Sequence, residues 1–395
     1  MFFSKLTSLW HFFERKSVLY TLGLVLTLAI SILEASRGRA LNFYIYSEAT
    51  LDFLGGLNPF VGWSERHTLD VFLYLPPFNT LFTPFALLPQ WLGAIVWNLL
   101  NFNLLFLAIS AVCRLRGKTM RFMMLYVILV MAQALFSFQY NITIAYIFLF
   151  SFILLERGQY WWALLLIVIS GATKVYGFFE LALFVCYPQF WRNVGRGVLL
   201  LVAVLLLPAL TVGFVGGVAQ LYEGWFTAIN VHSYRPFETM TRLILVYTHI
   251  DTYDIGNLIF AIVALALTMA IIFMRKRFRT TEQRAQLLGI IMVTIILWGT
   301  NSERNTYIIA ILGHALWYIN TERHNMLDKI LIASNFILIT LIPIDILCPR
   351  AVLNLLMDGL VLNVLSMLVT WIRMLYVTFA EGQRTYLAIA SRHTR

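Results

Sequence analysis

Apolar residues occur in long runs along this chain, and short polar or basic clusters separate the runs. Most runs approach the roughly 20 residues that a helix needs to cross a bilayer. The predicted spans are 19–35, 90–113, 121–138, 141–155, 160–173, 176–190, 197–215, 255–274, 285–300, 306–320, 328–346 and 355–377. The pattern therefore predicts an all-α polytopic integral membrane protein, one membrane-embedded domain over residues 1–395. Because several runs are short, we expect about 12 transmembrane helices within a range of roughly 10 to 13, some of them partial helices.

Two polar segments, 36–89 and 216–254, are too long to be simple turns and are predicted to be outer loops. The first contains a helix-like stretch from Asn42 to Gly55, in which Tyr44, Glu48 and Asp52 recur on one face. Prolines bracket the apolar pieces that follow, up to Pro89, and this pattern indicates a partial helix lying at the membrane interface. We expect the first loop to carry the active site.

The composition supports a membrane location and excludes several classes of protein. Hydrophobic residues make up 60% of the chain and charged residues only 12%, whereas an average soluble chain has about 25% charged residues. So few charges cannot cover several soluble domains. The composition excludes a soluble enzyme, a nucleic-acid-binding domain, a coiled coil and a disordered regulator.

The predicted orientation of the chain in the membrane explains its net charge of +10. Most of the 29 basic residues fall in segments predicted to be inside, as the positive-inside rule requires. The chain is therefore predicted to be a multi-pass protein of the plasma (inner) membrane with both termini cytoplasmic, and no nucleic-acid partner is expected. The acidic residues concentrate in the outer segments, so we expect the chemistry on the outer face.

Several short motifs follow one another in a recognisable order. They are Asn42-Phe43-Tyr44-Ile45-Tyr46-Ser47-Glu48-Ala49, Gly56-Leu57-Asn58-Pro59-Phe60, Tyr74-Leu75-Pro76-Pro77-Phe78, Pro84-Phe85-Ala86-Leu87-Leu88-Pro89, Gln139-Tyr140-Asn141, Thr173-Lys174-Val175-Tyr176, and Ser302-Glu303-Arg304-Asn305-Thr306-Tyr307 with Pro343-Ile344-Asp345. Together they resemble the motifs of glycosyltransferase family 87, which belongs to the GT-C superfamily. The resemblance runs from about residue 40 to residue 345.

The resemblance implies a GT-C-like fold and an inverting glycosyltransferase. Such an enzyme would move a sugar, mannose or a pentose, from a polyprenyl-phosphate donor to a lipid-linked or envelope glycan acceptor at the outer face. The implied partners are this donor, the acceptor and the membrane lipids. Physical reasoning agrees, since a donor too apolar to leave the bilayer needs an enzyme in the bilayer, and the acceptor hydroxyl needs a carboxylate as general base.

The chain departs from the family motif at Asn42, where the family usually has an acid. A carboxamide cannot accept a proton at neutral pH. Asp70 is our first candidate for the base, because it lies in the same loop shortly before Tyr74, and Glu48 is the second. Glu303 is the third, and we otherwise place it among the substrate-binding residues. The alternative for each is an ordinary solvated loop carboxylate.

A phosphate leaving group needs fixed cations near the bilayer surface. Lys174 is the first candidate because it lies inside a long apolar stretch, where an unpaired charge is costly; a pair with Glu180 is the alternative. Arg304 and Arg235 are the other predicted phosphate-binding residues. The predicted substrate-binding residues are Asn42, Tyr46, Tyr74, Gln139, Asn141 and Glu303.

The outer loops contain no D-x-D pair, so we predict no cofactor and no required metal. The resemblance leaves a divalent cation open, since some GT-C relatives use one.

Two other functions fit a chain of this kind. A secondary transporter or lipid flippase also has about 12 spans, broken helices and an intramembrane cation. The long, unequal outer loops argue against it, and residues 1–190 do not align with 197–395 as a repeat. The other alternative is an envelope-polymer ligase that uses a diphosphate-linked donor.

Overall fold

A computed structural model describes residues 15–118, 120–213, 216–231, 238–344 and 348–381. Helices make up 78% of the structure, and no strand occurs in these ranges. A backbone surrounded by apolar side chains or lipid must satisfy its hydrogen bonds locally, and the helix is the structure that does so within one segment. The prediction of an all-α protein is confirmed.

The chain forms two compact units. The first comprises Met1–Leu181 and Gln189–Tyr234, and the second comprises Ala182–Pro188 and Arg235–Arg395. Each unit has its own helix packing and its own group of polar side chains.

The first unit contains the α-helices given next and the start of a 3₁₀ helix, Val175–Cys186, whose last residues belong to the second unit. Its α-helices are α1 (Lys16–Ser36), α2 (Leu41–Leu54), α3 (Trp63–Arg66), α4 (Pro77–Ala86), α5 (Gln90–Leu115), α6 (Arg121–Phe136), α7 (Asn141–Glu156), α8 (Tyr160–Thr173), α9 (Phe190–Leu205), α10 (Ala209–Val212) and α11 (Gly217–Val231).

Helix α5 packs against α1 and α7, and polar side chains connect these helices inside the apolar core. Asn98 of α5 donates to Ser31 Oγ of α1 at 3.0 Å. One turn further on, Asn101 accepts a hydrogen bond from Thr143 of α7 at 2.7 Å. All four side chains are buried. Such bonds satisfy polar groups that would be costly in an apolar interior, and they also fix the register of the helices.

The second unit contains α12 (Met240–Thr248), α13 (Gly256–Met274), α14 (Thr281–Trp298), α15 (Tyr307–Ile319), α16 (Met326–Asn335), α17 (Arg350–Leu353) and α18 (Leu362–Leu375). Short 3₁₀ helices occur at Arg275–Arg277 and Arg304–Thr306. Single π-helical turns occur at Phe336–Leu341, Asn354–Gly359 and Tyr376–Glu381.

The closest helix pair in the second unit is α14 with α15, and glycines make the approach possible. A Cβ added to Gly289 would lie 2.5 Å from the carbonyl oxygen of Gly313, and one added to Gly313 would lie 2.8 Å from the carbonyl oxygen of Gly289. Small residues that let two backbones meet are a common solution for helices in membranes. A buried ion pair between Arg373 and Asp328, at 2.8 Å, joins α18 to α16.

Several helices indicate a membrane protein. Five in the described ranges are long and apolar enough to cross a bilayer: Lys16–Ser36, Gln90–Leu115, Phe190–Val212, Gly256–Arg277 and Leu362–Ala380. Other apolar helices are shorter; α7, for example, has 16 residues and is about 24 Å long, less than the hydrocarbon core of roughly 30 Å. The number of about 12 crossings stays a prediction.

Most predicted spans coincide with helices to within a few residues, and four differ in kind. The predicted span 355–377 is π-helical up to Gly359, and its α-helix begins only at Leu362. The predicted span 176–190 is the 3₁₀ helix Val175–Cys186. The predicted span 197–215 begins earlier, at Phe190, and is interrupted after Leu205, before α10. The predicted span 328–346 is an α-helix only to Asn335 and then π-helical. Apolar runs of this kind predict burial in an apolar environment, but they do not distinguish α, 3₁₀ and π backbone.

Both predicted outer loops contain helices. Helix α2 confirms the stretch predicted from Asn42 to Gly55, and α4 confirms the partial helix between the prolines. The segment 216–254 contains α11 and α12, which the sequence did not reveal.

The α14–α15 crossing gives a stability prediction. We expect Gly289→Ala to destabilise the second unit, by about 1–3 kcal/mol as for other overpacked sites, because the new methyl group meets backbone and not a flexible side chain. Gly195→Ala in α9 is the matched control, since nothing lies within 4 Å of a Cβ there. Thermal unfolding of both variants in detergent checks this. Equal melting temperatures for the two variants would contradict the proposed close approach.

Candidate active site

Lys174 lies where the chain leaves α-helical geometry. Helix α8 ends at Thr173, and Lys174 is extended, with φ −132° and ψ 111°. The 3₁₀ helix then starts at Val175. Gly177 comes so close to Ser170 that a Cβ would not fit, so this reversal requires a glycine. The result is a lysine held at a break between two apolar helices.

Asn141 is the main hydrogen-bonding partner of Lys174 in the structure. The Lys174 ammonium donates to Asn141 Oδ1 at 2.8 Å. The Tyr176 hydroxyl donates to the same oxygen at 3.4 Å. The Asn141 amide donates in turn to Gln139 Oε1 at 3.3 Å. The structure therefore brings together three residues from two separate motifs, Gln139, Asn141 and Lys174.

The turn that carries Gln139 and Asn141 has an unusual backbone. Phe138 has φ of +51°, which is uncommon for a residue with a side chain. Its ring is fully buried. The backbone N–H of Gln139 donates to the Ala134 carbonyl at 3.1 Å, a bond found at many helix ends. Burial of the ring offsets the backbone strain and fixes the start of α7.

Aromatic rings lie beside the ammonium group. The Lys174 nitrogen is 5.1 Å from the centre of the Tyr74 ring and 5.8 Å from that of Tyr176. The Tyr74 hydroxyl lies 3.0 Å from the Tyr46 hydroxyl, and the Tyr74 ring meets Tyr140 edge to face at 5.5 Å. Burial raises the pKa of Tyr74 well above its usual value, and Tyr46 adds to the shift. Tyr74 therefore remains a neutral phenol that can donate a hydrogen bond.

We call this group the Lys174 cluster: Tyr46, Tyr74, Gln139, Tyr140, Asn141, Lys174 and Tyr176. Five of its members were predicted from the sequence; Tyr140 and Tyr176 were not, although each stands inside a quoted motif. The Asn141 amide and the rings of Tyr74 and Tyr176 are neutral groups that orient the Lys174 ammonium. Such a group of fixed donors can stabilise an anion.

Asn42 is connected to the same region. Its amide donates to the Ser137 carbonyl at 2.7 Å, at the end of α6 and two residues before Gln139. On α2, Asn42 lies one turn before Tyr46. The side chain at the position of the family's acid therefore makes a structural bond to the turn that precedes Gln139 and Asn141.

The two candidate bases lie in the first loop, but their hydrogen bonds are made elsewhere. Glu48 Oε1 accepts from Gln90 at 2.5 Å. Asp70 is exposed, and its Oδ1 accepts from the Val71 backbone at 2.8 Å. Glu48 is therefore held near the start of α5, and Asp70 is held near the loop backbone. The structure shows no hydrogen bond between either carboxylate and the described atoms of the Lys174 cluster.

Another acidic residue of the first loop has basic partners that the sequence did not reveal. Asp52 Oδ2 lies 3.0 Å from Arg66 Nη2 and 3.0 Å from His67 Nε2. The His67 ring stacks on Trp63 with centroids 4.3 Å apart. The group ties α3 to α2. The only sequence signal was that Asp52 shares a helical face with Glu48.

Arg304 belongs to a polar group in the second unit. Its guanidinium donates to Glu238 Oε1 at 2.7 Å and lies 3.5 Å from Asp358 Oδ1. Asn363 donates to Glu238 Oε2 at 2.7 Å, and the Tyr307 hydroxyl donates to the Glu238 carbonyl at 3.0 Å. Both oxygens of this buried carboxylate are therefore bonded, and Arg304 is held by acidic partners.

The other predicted residues of this region do not join that group in the described structure. Glu303 is exposed, and its carboxylate and backbone form a reciprocal capping box with Thr306. A helix cap is therefore its observed role. Arg235 lies outside the described residues.

The charge of Glu238 depends on pH near neutrality. Burial raises the pKa of Glu238 to about 7, while the neighbouring Arg304 and the Asn363 hydrogen bond oppose the shift. Two features could have signalled this residue: its place in the outer loop and its position just before an apolar helix. Neither distinguishes a buried acid from a solvated one.

No group of three or more His, Cys, Asp or Glu side chains is placed to hold a metal ion within the described ranges. In the two predicted outer loops, Asp52 is paired with Arg66 and His67, and Glu238 is paired with Arg304.

The model of glycosyltransferase family 87 matches residues 72–298, more than half of the chain. This chain belongs to glycosyltransferase family 87. The resemblance drawn from the motifs is confirmed, and membership of glycosyltransferase family 87 implies glycosyltransferase activity. The matched region includes Tyr74, Gln139, Asn141 and Lys174. No curated protein matches the chain.

The Glu238 environment gives a pH prediction. Because burial favours the protonated form in the folded state, its stabilising contribution is complete below the ordinary carboxyl pKa of about 4.5 and is lost as the pH rises through about 7. We expect the melting temperature to fall between pH 5 and pH 8, and Glu238→Gln to reduce this fall. Glu223→Gln, which alters an exposed carboxylate, is the control. Equal pH slopes for Glu238→Gln and the wild type would contradict the assignment.

Proposed function

We propose that this member of glycosyltransferase family 87 is an inverting enzyme that transfers a sugar from a polyprenyl-phosphate donor. The acceptor would be a lipid-linked or envelope glycan at the outer face of the membrane, and mannose or a pentose is the expected sugar. The observation that carries the proposal is the Lys174 cluster, whose members other than Tyr46 lie within the region that matches the family. The proposal includes no cofactor.

The Lys174 cluster has the properties expected of a donor-phosphate site. Its ammonium group is positioned by Asn141 and lies against aromatic rings, in a chain whose neighbouring helices are apolar. A charge in such surroundings is stabilised by an anion. In the reaction, the bond from the anomeric carbon to the phosphate oxygen breaks with its electron pair, so negative charge grows on the phosphate. Lys174 would stabilise that charge.

The acceptor half of the reaction needs a base. The acceptor oxygen forms a bond to the anomeric carbon while its proton passes to a carboxylate. Asn42 cannot act as this base, and in the structure its side-chain amide donates a hydrogen bond to the Ser137 carbonyl. Asp70 remains the first candidate because it is exposed in the loop that leads to Tyr74, and Glu48 remains the second.

Arg304 differs from Lys174 because it forms an ion pair with a buried carboxylate. Its guanidinium is paired with Glu238 at 2.7 Å, so a phosphate would compete with a buried carboxylate. Near the pKa of Glu238, about 7, protonation of that carboxyl would release part of the arginine's charge. We therefore propose Arg304 as a secondary phosphate ligand, and Arg235 stays a prediction for the same role.

Substitution of Lys174 tests the donor site. We expect Lys174→Met to lower sugar transfer from polyprenyl-phosphate-mannose or polyprenyl-phosphate-arabinose by about 10²–10³-fold, as when one preorganised electrostatic group is removed. Lys174→Arg should retain part of the activity. Lys118→Met removes an exposed cation and serves as the control. The measurement is initial rate in detergent with each variant's melting temperature.

The outcomes separate the proposed function from its alternatives. Full activity of a folded Lys174→Met variant would remove Lys174 from the donor site. Transfer only from a diphosphate-linked sugar would favour an envelope-polymer ligase. Movement of a labelled lipid across vesicles without any transfer would favour a flippase or transporter.

The base assignments have their own test. We expect Asp70→Asn to lower turnover by about 10²–10⁴-fold with little change in donor affinity, because the loss of a general base acts on the chemical step. A smaller effect is expected for Glu48→Gln. Glu65→Gln is the matched control, an exposed acid of the same loop. If Asp70→Asn and Glu48→Gln both keep wild-type turnover, both assignments are wrong.

A further inference from the structure

The second unit contains an open cavity of about 430 Å³ that is separate from the residues discussed above. Its lining residues are Val185, Cys186, Tyr187, Arg275, Lys276, Phe278, Arg279 and Arg284. We call it the basic cavity. Both of the segments that form it, 182–188 and 275–284, belong to the second unit.

The connection between α13 and α14 explains why cations gather here. It contains five basic residues between positions 275 and 284 and one acidic residue, Glu282. A 3₁₀ turn, Arg275–Arg277, and the capping box of Thr280 with Gln283 keep this connection tight. Like charges placed so close repel one another, and an anion between them relieves that repulsion.

Backbone carbonyls hold two of the arginines in place. Arg284 Nη1 donates to the carbonyl oxygens of Phe278 at 3.2 Å and Arg279 at 2.7 Å. Arg279 Nε donates to the carbonyl of Lys276 at 2.7 Å. The Arg284 guanidinium also lies 5.1 Å from the centre of the Tyr187 ring. Carbonyl oxygens and a ring therefore orient these guanidinium groups at the cavity.

The cavity lies at the end of a candidate membrane span. Gly256–Arg277 is long and apolar enough to cross a bilayer, and the cavity begins at its last residues. Just before it, Phe273 is 78% exposed, as expected for a side chain that faces lipid. The cations of the cavity therefore occupy the depth at which lipid headgroups lie.

We propose that the basic cavity binds the phosphate group of an anionic membrane lipid. Arginine binds phosphate well because its planar guanidinium is weakly hydrated and offers paired donors. The exposed ring of Phe273 on the span is suited to an acyl chain of the same molecule. This site is independent of the proposed sugar transfer, and its test does not use enzyme activity.

Cys186 provides a direct probe, because it lines the cavity and is half-buried. Cys113 and Cys348 are buried and serve as internal references. The full chain is placed in nanodiscs of phosphatidylcholine with or without phosphatidylglycerol, and maleimide labelling of each cysteine is followed by peptide mass spectrometry. We expect phosphatidylglycerol to slow labelling of Cys186 at least about threefold, with no comparable change at Cys113 or Cys348.

Charge variants show whether the effect belongs to the cavity. Arg275→Gln with Lys276→Gln removes two exposed cations of the cavity and should abolish the protection of Cys186. Arg114→Gln with Lys118→Gln removes two exposed cations elsewhere and should leave it intact. The ratio of the rates in the two lipid mixtures is compared within each variant, so a change in the thiol's own reactivity cancels.

A further arm identifies the source of the phosphate. Inorganic phosphate is added to phosphatidylcholine nanodiscs at the total concentration that phosphatidylglycerol has in the first arm. Protection by phosphatidylglycerol alone supports a lipid ligand, whereas equal protection by inorganic phosphate supports the phosphate site and assigns it to a soluble phosphate. Absence of protection in both arms, or protection that survives Arg275→Gln with Lys276→Gln, overturns the proposal.

Discussion

A peptide group in an apolar environment has no water to bond to, so its partner must come from the chain itself. This constraint explains why 78% of the structure is helical and why no strand occurs in the described ranges. The chain leaves α geometry at Lys174, at the single π-helical turns and at short connections. At Lys174 this departure places the ammonium group beside Asn141, at a break between two helices. Elsewhere it only redirects the chain.

Two cations of the described structure have partners of different chemistry. Lys174 donates to an amide oxygen and lies against aromatic rings. Arg304 is bonded to a carboxylate, which is itself held by Asn363. The pair of Arg304 with Glu238 depends on pH, because burial raises the pKa of Glu238 to about 7.

The sequence was informative where residue type and apolar context together restrict the structure. The motifs singled out Lys174, Gln139, Asn141 and Tyr74 as separate candidates, and the structure places them in one cluster. The sequence was less informative about backbone type, since an apolar run such as 176–190 suits a 3₁₀ helix as well as an α-helix. It could not identify Glu238, because the partners that bury it, Arg304 and Asn363, are distant in the chain. Contacts of this kind follow from tertiary packing and leave no local signal.

The bond from Asn42 to the Ser137 carbonyl restricts which side chains this position accepts. The amide nitrogen lies 2.7 Å from the carbonyl oxygen. An ionised carboxylate in its place would bring two acceptor oxygens to that distance and lose the donor. An acid at position 42 is therefore compatible with this packing only if the turn between α6 and α7 also moves.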